Sequence, residues 1–500
     1  MDFCRRICGW DYVNDSCPYH AQKRCGAPII FGQHQHVILG HPLDFGVVIG
    51  DEYPVPAFCH EWRIPARWIM PPGMDATEPL AEMLDTLQNS VPKEGADPSR
   101  IDGESLLALL GGPGAVLEAC EGFTMPVAAE VIPPDLHHAG EVEEVPYAHL
   151  PHLVPLLIRE ARMAQKGEQY PHRVILHQQG LDLLLRYPPN PRLPGHMIWL
   201  DATANERLYE ACFRRKVKVI DAQPELKARI YQVHTRANGL ATLLDKDGQP
   251  TSKVAQTENQ VQHIIDTGKY TRPVLVTFQS LIKASETFSA IDHTHYYAAR
   301  GTNAFEDADA IIIAGTPQPP LASIERMARM VFFERDTAFH TRWASREREY
   351  NYIDPDDGKG RQYPVSEFCD AELNALLWSL REAEIIQAAH RCRPVNHEAD
   401  IWLLTNIPID ELPPTKLLDI AELLDAPPDV NAFLWYRAFQ IAQQCNARKG
   451  RVMVEDLVQA GIHKDTARKY LHRLHEELGW DIESVSSGKR GRPKLAVRRE

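Results

Sequence analysis

Apolar residues along the chain follow strand-like spacing in some regions and helix-like spacing in others. Residues 27–60 contain short strand-like runs, among them Val47-Val-Ile-Gly50, which ends at Asp51 and Glu52. After the proline-marked stretch WIMPPGMDATEP, apolar positions recur three and four residues apart in PLAEMLDTLQN, ESLLALLGG and PHLVPLLIREARMAQ. That spacing is typical of amphipathic helices, so residues 71–168 are predicted to form a mostly helical insertion.

Strand-like runs return after this insertion. HRVILHQ, LDLLLRY and HMIWLDAT predict three strands within residues 169–210. From about Val217 to Asn406, the runs KVKVID, RIYQVH, PVLVTF, ADAIIIAG and DIWLLTN alternate with helical segments. Alternation of this kind predicts a doubly wound parallel sheet. A proline-bracketed helical segment, LPPTKLLDIAELLDAPPD, then leads to the C-terminal region.

Composition places the chain among globular proteins, with 44% hydrophobic and 24% charged residues over 500 positions. The first residues lack the apolar core of a secretory leader, and no apolar run approaches the roughly 20 residues that a bilayer span requires. We therefore expect a soluble, unexported, cytoplasmic protein with no membrane partner.

The net charge of −14 is distributed unevenly. Residues 448–500 carry 13 Lys and Arg against 8 Asp and Glu, whereas residues 1–447 carry 41 against 60. The basic region has the spacing of a helix-turn-helix, turning at Gly461, followed by DIESV and KLAV as a two-stranded wing. This pattern predicts a DNA-binding module whose basic and polar contacts are Lys464, Thr466, Arg468, Lys469, Arg473, Lys489, Arg490, Arg492 and Lys494.

The tip of the predicted wing, Lys489-Arg-Gly-Arg-Pro-Lys494, resembles an AT-hook. The Gly-Arg-Pro core of that motif lies in narrow A·T minor grooves, where the negative potential attracts arginine. The alternative interpretation is a solvated basic turn on a helical protein-interaction domain.

Four polar motifs follow strands or helices in a fixed order. Asp51-Glu52 ends the first run, Asp201-Ala-Thr203 follows a later strand, and Arg300-Gly-Thr302 precedes ADAIIIAG. The last motif, QAAHRCRP, contains Gln387, Arg391 and Arg393. Taken alone, a strand-ending acidic pair is more often a helix cap or a solvated turn. The order of the four motifs is what favours a functional interpretation.

As a set, these motifs resemble those of the superfamily-two helicases, over roughly residues 1–408. The resemblance implies that Asp51 and Glu52 bind Mg²⁺ and polarise the water that attacks ATP. It implies that Asp201 and Thr203, with aspartate where the family has serine, couple hydrolysis to movement. Arg300, Gly301 and Thr302 would contact strand and nucleotide, and Gln387 belongs to the last motif. Arg391 would reach the γ-phosphate, with Arg393 as its reserve.

Four cysteines, Cys4, Cys8, Cys17 and Cys25, lie in the first 25 residues. Their spacing does not match a paired zinc ribbon, so a metal site and buried thiols both remain open. The segment containing CPYHAQKRCGAPIIFG is similar to one in iron–sulfur helicases of the nucleotide-excision-repair type. That resemblance implies an iron–sulfur cluster or Zn²⁺ with Cys17 as the last ligand, and Cys25 departs from the pattern.

A phosphate loop, G-x-x-x-x-G-K-[ST], is missing from the sequence. The three Gly-Lys pairs, at Gly268, Gly358 and Gly488, lack both the upstream glycine and the following hydroxyl residue. The chain is therefore expected to be the C-terminal piece of a longer or split helicase, with a separate polypeptide as one source of the loop. The alternative is an ATPase-dead relative that is retained for binding DNA.

The predicted fold class is α/β, with tandem RecA-like parallel sheets of which the first is incomplete. The predicted domains are a Cys-rich segment with the remnant of the first sheet (1–70), the insertion (71–168), the rest of the first domain (169–210), the second RecA-like domain (211–408), a helical linker (409–447) and a winged helix-turn-helix (448–500). The predicted function is an ATP-dependent DNA helicase-type motor that uses ATP and Mg²⁺. The rival is a non-catalytic DNA-binding protein with a degenerate helicase fold.

Overall fold

The structure of the chain is a computed structural model. It describes residues 47–51, 53–71, 73–75, 77–92, 100–123, 149–167, 169–191, 193–222, 224–236, 238–298, 304–355, 358–424, 438, 441–442, 445–446, 448–460, 462–478, 480–485 and 494–498. The chain divides into two compact units: Met1–Lys218 with Glu325–Phe339, and Val219–Ile324 with His340–Glu500. Among the described residues, no helix has both the length and the apolar character needed to cross a bilayer.

The first unit mixes short strands with a group of helices. Its elements are β1 (Val48–Asp51), α1 (Val55–Phe58), β2 (Cys59–Pro65), the 3-10 turn Ala66–Trp68, α2 (Pro79–Asn89), β3 (Ile101–Asp102), α3 (Gly103–Leu109), α4 (Pro113–Ala119), α5 (Leu150–Gln165), β4 (Val174–His177), β5 (Gly180–Arg186), β6 (Met197–Leu200) and α6 (Glu206–Phe213). The described part of the predicted insertion is mostly helical, as its apolar spacing indicates.

The strands of the first unit form two separate sheets. β1 and β6 pair in parallel, with Asp51 opposite Leu200. β2, β5, β4 and β3 form an antiparallel sheet in that order. The predicted strands HRVILHQ and LDLLLRY are present as β4 and β5, and they belong to the antiparallel sheet rather than to the parallel pair. Side chains of α2 to α5 and of this sheet form one apolar core, which includes Leu84, Leu107, Leu153, Val174 and Leu183.

A buried carboxylate attaches residues 325–339 to the antiparallel sheet. Asp182 on β5 is 1% exposed, and its oxygens accept hydrogen bonds from Arg63 Nε (2.9 Å) and from Arg326 Nη2 (2.6 Å) of helix α11 (Leu321–Val331). His177 Nε2 lies 2.9 Å from the same carboxylate. Burial alone would raise the pKa of Asp182, but these hydrogen bonds outweigh burial and lower its pKa well below the ordinary value.

A second buried carboxylate, Glu160 on α5, holds the start of β4. Its Oε1 accepts hydrogen bonds from the backbone N–H groups of Arg173 (2.6 Å) and Val174 (2.9 Å). Its Oε2 is buried and has no hydrogen-bond partner among the described residues. Burial raises the pKa of Glu160 to about 7, because desolvation of the charged form outweighs the two hydrogen bonds.

We expect Glu160→Gln to reduce the pH dependence of the stability of the first unit. The native state binds the Glu160 proton more tightly than the unfolded state does. The contribution of Glu160 to stability therefore falls as pH rises from about 4.5 towards 7, by about 1.4 kcal/mol for each pKa unit of difference. Glutamine keeps the acceptor but does not titrate. Hydrogen-exchange protection of α5 and β4, corrected for intrinsic exchange, should decrease between pH 5 and 7.5 in the wild type and less in the variant. An equal decrease in both proteins would contradict this assignment, and the exposed Glu118→Gln serves as the control.

The second unit is built on a six-stranded parallel sheet. Its elements are β7 (Arg229–Val233), α7 (Leu240–Leu243), α8 (Ser252–Gly268), β8 (Pro273–Thr277), α9 (Gln279–Ala284), α10 (Glu286–Ala290), β9 (Asp292–His295), β10 (Ala310–Ala314), β11 (Trp343–Ile353), β12 (Gly360–Phe368), α12 (Ala371–Leu380), α13 (Glu382–Ala389), the 3-10 turn His390–Cys392, β13 (Asp400–Leu404), β14 (Lys416–Leu418) and α14 (Ile420–Leu423). The helix α11 begins in this unit and continues into the first unit from Glu325 on. The sheet order is β14-β7-β13-β10-β8-β9.

This sheet confirms the α/β class predicted from the alternating pattern. Its central strand β10 is fully buried, with Ile311 and Ile313 in the apolar core on one face and Ile312 in the core on the other. One strand expectation was wrong. KVKVID forms no strand, and Val219 and Ile220 within it are 42% and 78% exposed. Outside the sheet, β11 and β12 form an antiparallel hairpin.

The C-terminal region forms a small core of its own. Its elements are β15 (Val452–Met453), α15 (Val454–Gln459), α16 (Lys464–Leu478), β16 (Asp481–Val485) and β17 (Lys494–Arg498). The antiparallel sheet order is β15-β17-β16, so the strands expected at DIESV and KLAV are present and paired. Leu457, Leu471, Leu474 and Trp480 are buried together between the helices and this sheet.

Candidate functional site

The first predicted motif ends a parallel strand, as its sequence indicates. Asp51 is the last residue of β1 and is exposed, and Glu52 lies outside the described residues. Since β1 pairs in register with β6, Asp51 lies opposite Leu200, one residue before Asp201. The polar groups of both motifs therefore follow the carboxyl ends of neighbouring parallel strands, where α/β sheets bind ligands. An exposed carboxylate at this edge is a suitable oxygen ligand for Mg²⁺.

Asp201 is fixed by hydrogen bonds from its own turn and from α6. Its Oδ1 accepts from the backbone N–H and the Oγ1 hydroxyl of Thr203, both at 2.8 Å. Its Oδ2 accepts from the Tyr209 hydroxyl at 2.7 Å. Burial, with the adjacent Asp201 charge, raises the pKa of Tyr209 well above its ordinary value, so the hydroxyl remains a donor. The Asp201 side chain thus orders this turn.

Tyr209 was missed by the sequence analysis. It lies eight residues after Asp201 on a helix that begins after Asn205, whose side chain accepts a hydrogen bond from Leu208 N. Tyr209 is buried and packs near Trp199 and Phe213 on the helix side of β6. In the sequence it reads as an ordinary apolar position of an amphipathic helix. No local signal marks its hydroxyl as a partner for Asp201.

The last predicted motif lies at the end of α13 in the second unit. Gln387 and Arg391 are half-buried and four residues apart, and the 3-10 turn that contains Arg391 packs against β10, as α13 does. Arg393 is exposed and has a left-handed backbone conformation, with φ 54°. Its N–H donates to His390 O at 3.1 Å, which ends the turn. Burial, together with the charge of Arg391, lowers the pKa of His390.

A buried carboxylate on α13 holds the turn that precedes the Arg300–Thr302 motif. Glu384 is 3% exposed and accepts a hydrogen bond from Tyr297 N at 3.0 Å. Tyr297 has a left-handed backbone, with φ 68°, and its hydroxyl donates to Leu380 O at 3.1 Å. Arg300, Gly301 and Thr302 themselves lie outside the described residues. Glu384 stands three residues before Gln387, and this helical spacing was a signal available in the sequence.

Buried ion pairs support the start of α13. Arg381 donates from Nε and Nη2 to the two oxygens of Glu382, at 3.0 and 2.7 Å. Arg348 of the hairpin donates to the same carboxylate at 2.7 Å. Arg381 and Glu382 are only 2% and 0% exposed. Each charge therefore needs the other to offset the free-energy cost of its removal from water. The pair fixes the helix that carries Gln387 and leads to Arg391.

The helix α16 presents most of its predicted DNA contacts to solvent. Lys464, Arg468 and Lys469 are exposed, and Thr466 and Arg473 are half-buried. The opposite face, with Ala467, Tyr470, Leu471 and Leu474, is buried in the C-terminal core. Lys494 is the first residue of β17. Lys489, Arg490 and Arg492 lie outside the described residues.

The predicted metal ligands Cys4, Cys8, Cys17 and Cys25 also lie outside the described residues. Within the described part of the chain, no three His, Cys, Asp or Glu side chains are grouped in a way that could hold a metal ion. No known protein-family model matches the chain, and no significant match is found among the curated proteins.

Proposed function

We propose that this chain is part of an ATP-dependent DNA motor of the superfamily-two helicase type. One observation carries the proposal: the parallel register of β1 with β6, which places Asp51 and the Asp201–Thr203 turn at the carboxyl ends of adjacent strands. An acidic residue at such an edge is suited to holding the Mg²⁺ of a nucleoside triphosphate. The six-stranded parallel sheet supports a second RecA-like domain, and α15, α16 and the β16–β17 pair support a winged helix.

Each group has a role in this motor. Asp51 and Glu52 hold Mg²⁺ and orient the attacking water. Thr203 and Asp201 form the ordered turn that responds to hydrolysis, with Tyr209 as a positioning residue. Arg391 neutralises charge that develops on the γ-phosphate, with Arg393 as its reserve and Gln387 one helical turn before Arg391. A cation in this role is worth about 10³ to 10⁵ in rate.

Three further parts of the proposal concern groups outside the described residues. Arg300, Gly301 and Thr302 contact the DNA strand and the nucleotide. Cys4, Cys8, Cys17 and Cys25 form an iron–sulfur or zinc centre. The basic tip of the wing, with Arg490 and Arg492, enters the minor groove.

The rival function is a non-catalytic DNA-binding protein on a helicase scaffold. The observation that favours it is the lack of a phosphate loop in the 500-residue sequence. Without backbone amides and a lysine to hold the β- and γ-phosphates, the carboxylates and arginines have no bound nucleotide to act on. The motor function therefore requires a phosphate loop supplied from outside this sequence.

We expect the purified chain alone not to hydrolyse ATP, with or without single-stranded DNA, because it lacks this loop. The measurement is steady-state phosphate release in the presence of Mg²⁺. DNA-stimulated turnover that disappears in Glu52→Gln would show that the chain does hold the phosphates by itself, and would contradict this expectation.

The C-terminal module gives a second expectation. The full chain should bind duplex DNA with an affinity that falls steeply as salt rises, because phosphate contacts release counterions. It should prefer A·T tracts, whose narrow minor groove attracts arginine. In the double variant Arg490→Ala and Arg492→Ala, the A·T preference should disappear while salt-sensitive binding through α16 remains.

The matched variant carries Arg468→Ala and Lys469→Ala on the exposed face of α16. This variant should bind all DNA sequences more weakly by a similar factor. Its binding should release about one counterion fewer for each phosphate group that the helix no longer contacts. Fluorescence anisotropy with A·T-rich and G·C-rich duplexes at several salt concentrations separates the two effects. A chain that binds neither duplex at low salt would favour a protein-docking role for the module.

A further inference from the structure

The helix α16 packs against the β11–β12 hairpin as well as against the core of the C-terminal region. The helix and the hairpin both belong to the second unit. Thr466 and Arg473, two of the predicted DNA contacts on α16, are half-buried, and Tyr470 is 7% exposed. These three residues are four and three positions apart, so they form one flank of the helix. Part of the DNA-binding surface predicted for α16 is therefore covered.

The two faces of the hairpin have different surroundings. One face lies on the six-stranded sheet, where Arg348 donates to Glu382 at 2.7 Å and Val365 is part of the apolar core. Ser345 and Pro364 belong to the opposite face, because side chains alternate along a strand. Ser345 is 5% exposed and Pro364 is buried, so this face is covered too. Since α16 packs against both strands, we assign this cover to α16.

A helix that is packed in this way cannot enter a major groove of DNA. An α-helix with its side chains is about 10–12 Å across, and the major groove is about 12 Å wide. The recognition helix of a helix-turn-helix module therefore fills the groove, and both of its flanks face the DNA backbone. No space remains for a hairpin on one flank. Insertion of α16 into DNA and its packing on the hairpin therefore exclude each other.

We propose that the β11–β12 hairpin is an autoinhibitory cover for α16, and that duplex DNA binds after α16 has left the hairpin. This inference rests on the DNA binding that the proposed function assigns to α16, and it names the regulation of that site. The hairpin stays on the sheet, because Arg348 contacts α13 and the Tyr350 hydroxyl donates to Asn406 O at 2.8 Å. The DNA affinity of the chain is then reduced by the fraction of molecules in which α16 is uncovered.

Hydroxyl-radical footprinting of the full chain tests the proposal without any substitution. Modification of hairpin peptides is measured by mass spectrometry with and without a saturating A·T-rich duplex. Pro364, on the face that α16 covers, should be modified several-fold faster when DNA is bound. Tyr350, which is 3% exposed on the face toward the sheet, is the internal control and should be modified at the same rate in both states. Unchanged modification of Pro364 in the DNA complex would overturn the proposal.

A variant that opens the contact provides the second arm. Ser345→Tyr places a large neutral side chain on the covered face, and Ile353→Tyr, at an exposed position of the same strand, is the matched control. Because a minor conformation typically amounts to about 10% of molecules or less, release of α16 should tighten duplex binding roughly tenfold or more in Ser345→Tyr. Fluorescence anisotropy at one salt concentration measures the affinities, and Ile353→Tyr should bind as the wild type does.

The outcomes separate this inference from the proposed function. If the wild-type chain binds duplex DNA while Pro364 stays protected, DNA binding stands and the autoinhibitory contact is wrong. The contact is also wrong if Pro364 is modified rapidly in Ser345→Tyr without DNA, yet this variant binds the duplex no more tightly than Ile353→Tyr. If neither the wild type nor Ser345→Tyr binds the duplex, DNA binding through α16 fails, and the inference fails with it.

Discussion

Arg391→Ala is expected to lower DNA-stimulated ATP hydrolysis by roughly 10³-fold or more, measured by single-turnover phosphate release in the proposed complex with a polypeptide that supplies the phosphate loop. In the proposed function the guanidinium neutralises charge that develops on the γ-phosphate only in the transition state, so its removal should lower the rate of the chemical step more than nucleotide affinity. Arg391 lies on a turn that packs against β10, and removal of its side chain leaves the buried neighbours Ala389 and Cys392 in place.

Arg272→Ala is the matched control for Arg391. Arg272 directly precedes β8 of the same sheet and lies near Asp292 (3.8 Å) and Asp307 (3.5 Å) in exposed ion pairs. We expect its removal to change hydrolysis less than threefold, since exposed pairs of this kind contribute little. If Arg391→Ala also changes the rate of hydrolysis threefold or less, Arg391 does not take part in the reaction. Arg393 would then be the next residue to substitute.

Asp182→Ala is expected to destabilise the first unit by about 3 kcal/mol, because it removes the buried carboxylate that compensates the mostly buried guanidinium of Arg326, whose side chain is 13% exposed. Asp182 accepts hydrogen bonds from two arginines, and one of them, Arg326, lies on residues 325–339. The substitution should therefore expose both β5 and α11. Hydrogen exchange of peptides that cover these elements measures the change without assuming that the whole chain unfolds in one step.

The control for Asp182 is Glu61→Ala. Glu61 also contacts Arg326, but its side chain is 34% exposed and remains near solvent. Removal of the Glu61 side chain should lower the stability of the first unit by about 1 kcal/mol or less. The lowered pKa of Asp182 predicts a further effect: its stabilising contribution is fully present above the ordinary Asp pKa and is lost as pH falls. Equal exchange in wild type and Asp182→Ala would contradict a supporting role for this carboxylate.

Elements with strong apolar patterns were predictable from the sequence. The runs AIIIA and VLVT consist of apolar and β-branched residues, and they form β10 and β8 of a buried parallel sheet. The spacing in PLAEMLDTLQN produces α2, with Pro79 in its first turn. In these segments burial, periodicity and local propensity favour the same structure, so local sequence is sufficient.

Elements that depend on distant partners were not predictable. KVKVID has the alternation of a strand but pairs with no strand, and Ile220 is 78% exposed. The charged run SRERE reads as a solvated surface, yet it lies within β11 of a hairpin. The placement of β4 and β5 in an antiparallel sheet depends on β2, whose sequence CHEWRIP mixes polar and apolar residues. A local sequence pattern does not show which distant strand a segment pairs with.

Some features of the candidate site were also predictable from the sequence, and others were not. The run that ends at Asp51 could be recognised as a strand, and it forms β1, which pairs in parallel with β6. The contacts that hold the surrounding elements in place could not be predicted from the sequence. Glu384 and Tyr297 are 87 residues apart, and Asp182 and Arg326 are 144 residues apart. Such contacts are set by the tertiary fold.

The proposed function makes this chain part of a DNA-dependent ATPase. Its most direct test is phosphate release by the complex isolated through a tag on this chain, with and without DNA, in wild type and in Asp51→Asn. We expect hydrolysis that DNA stimulates and that Asp51→Asn abolishes, while DNA binding through α16 is unchanged. A complex that binds DNA without hydrolysing ATP, or one in which Asp51→Asn hydrolyses ATP at the wild-type rate, would contradict it.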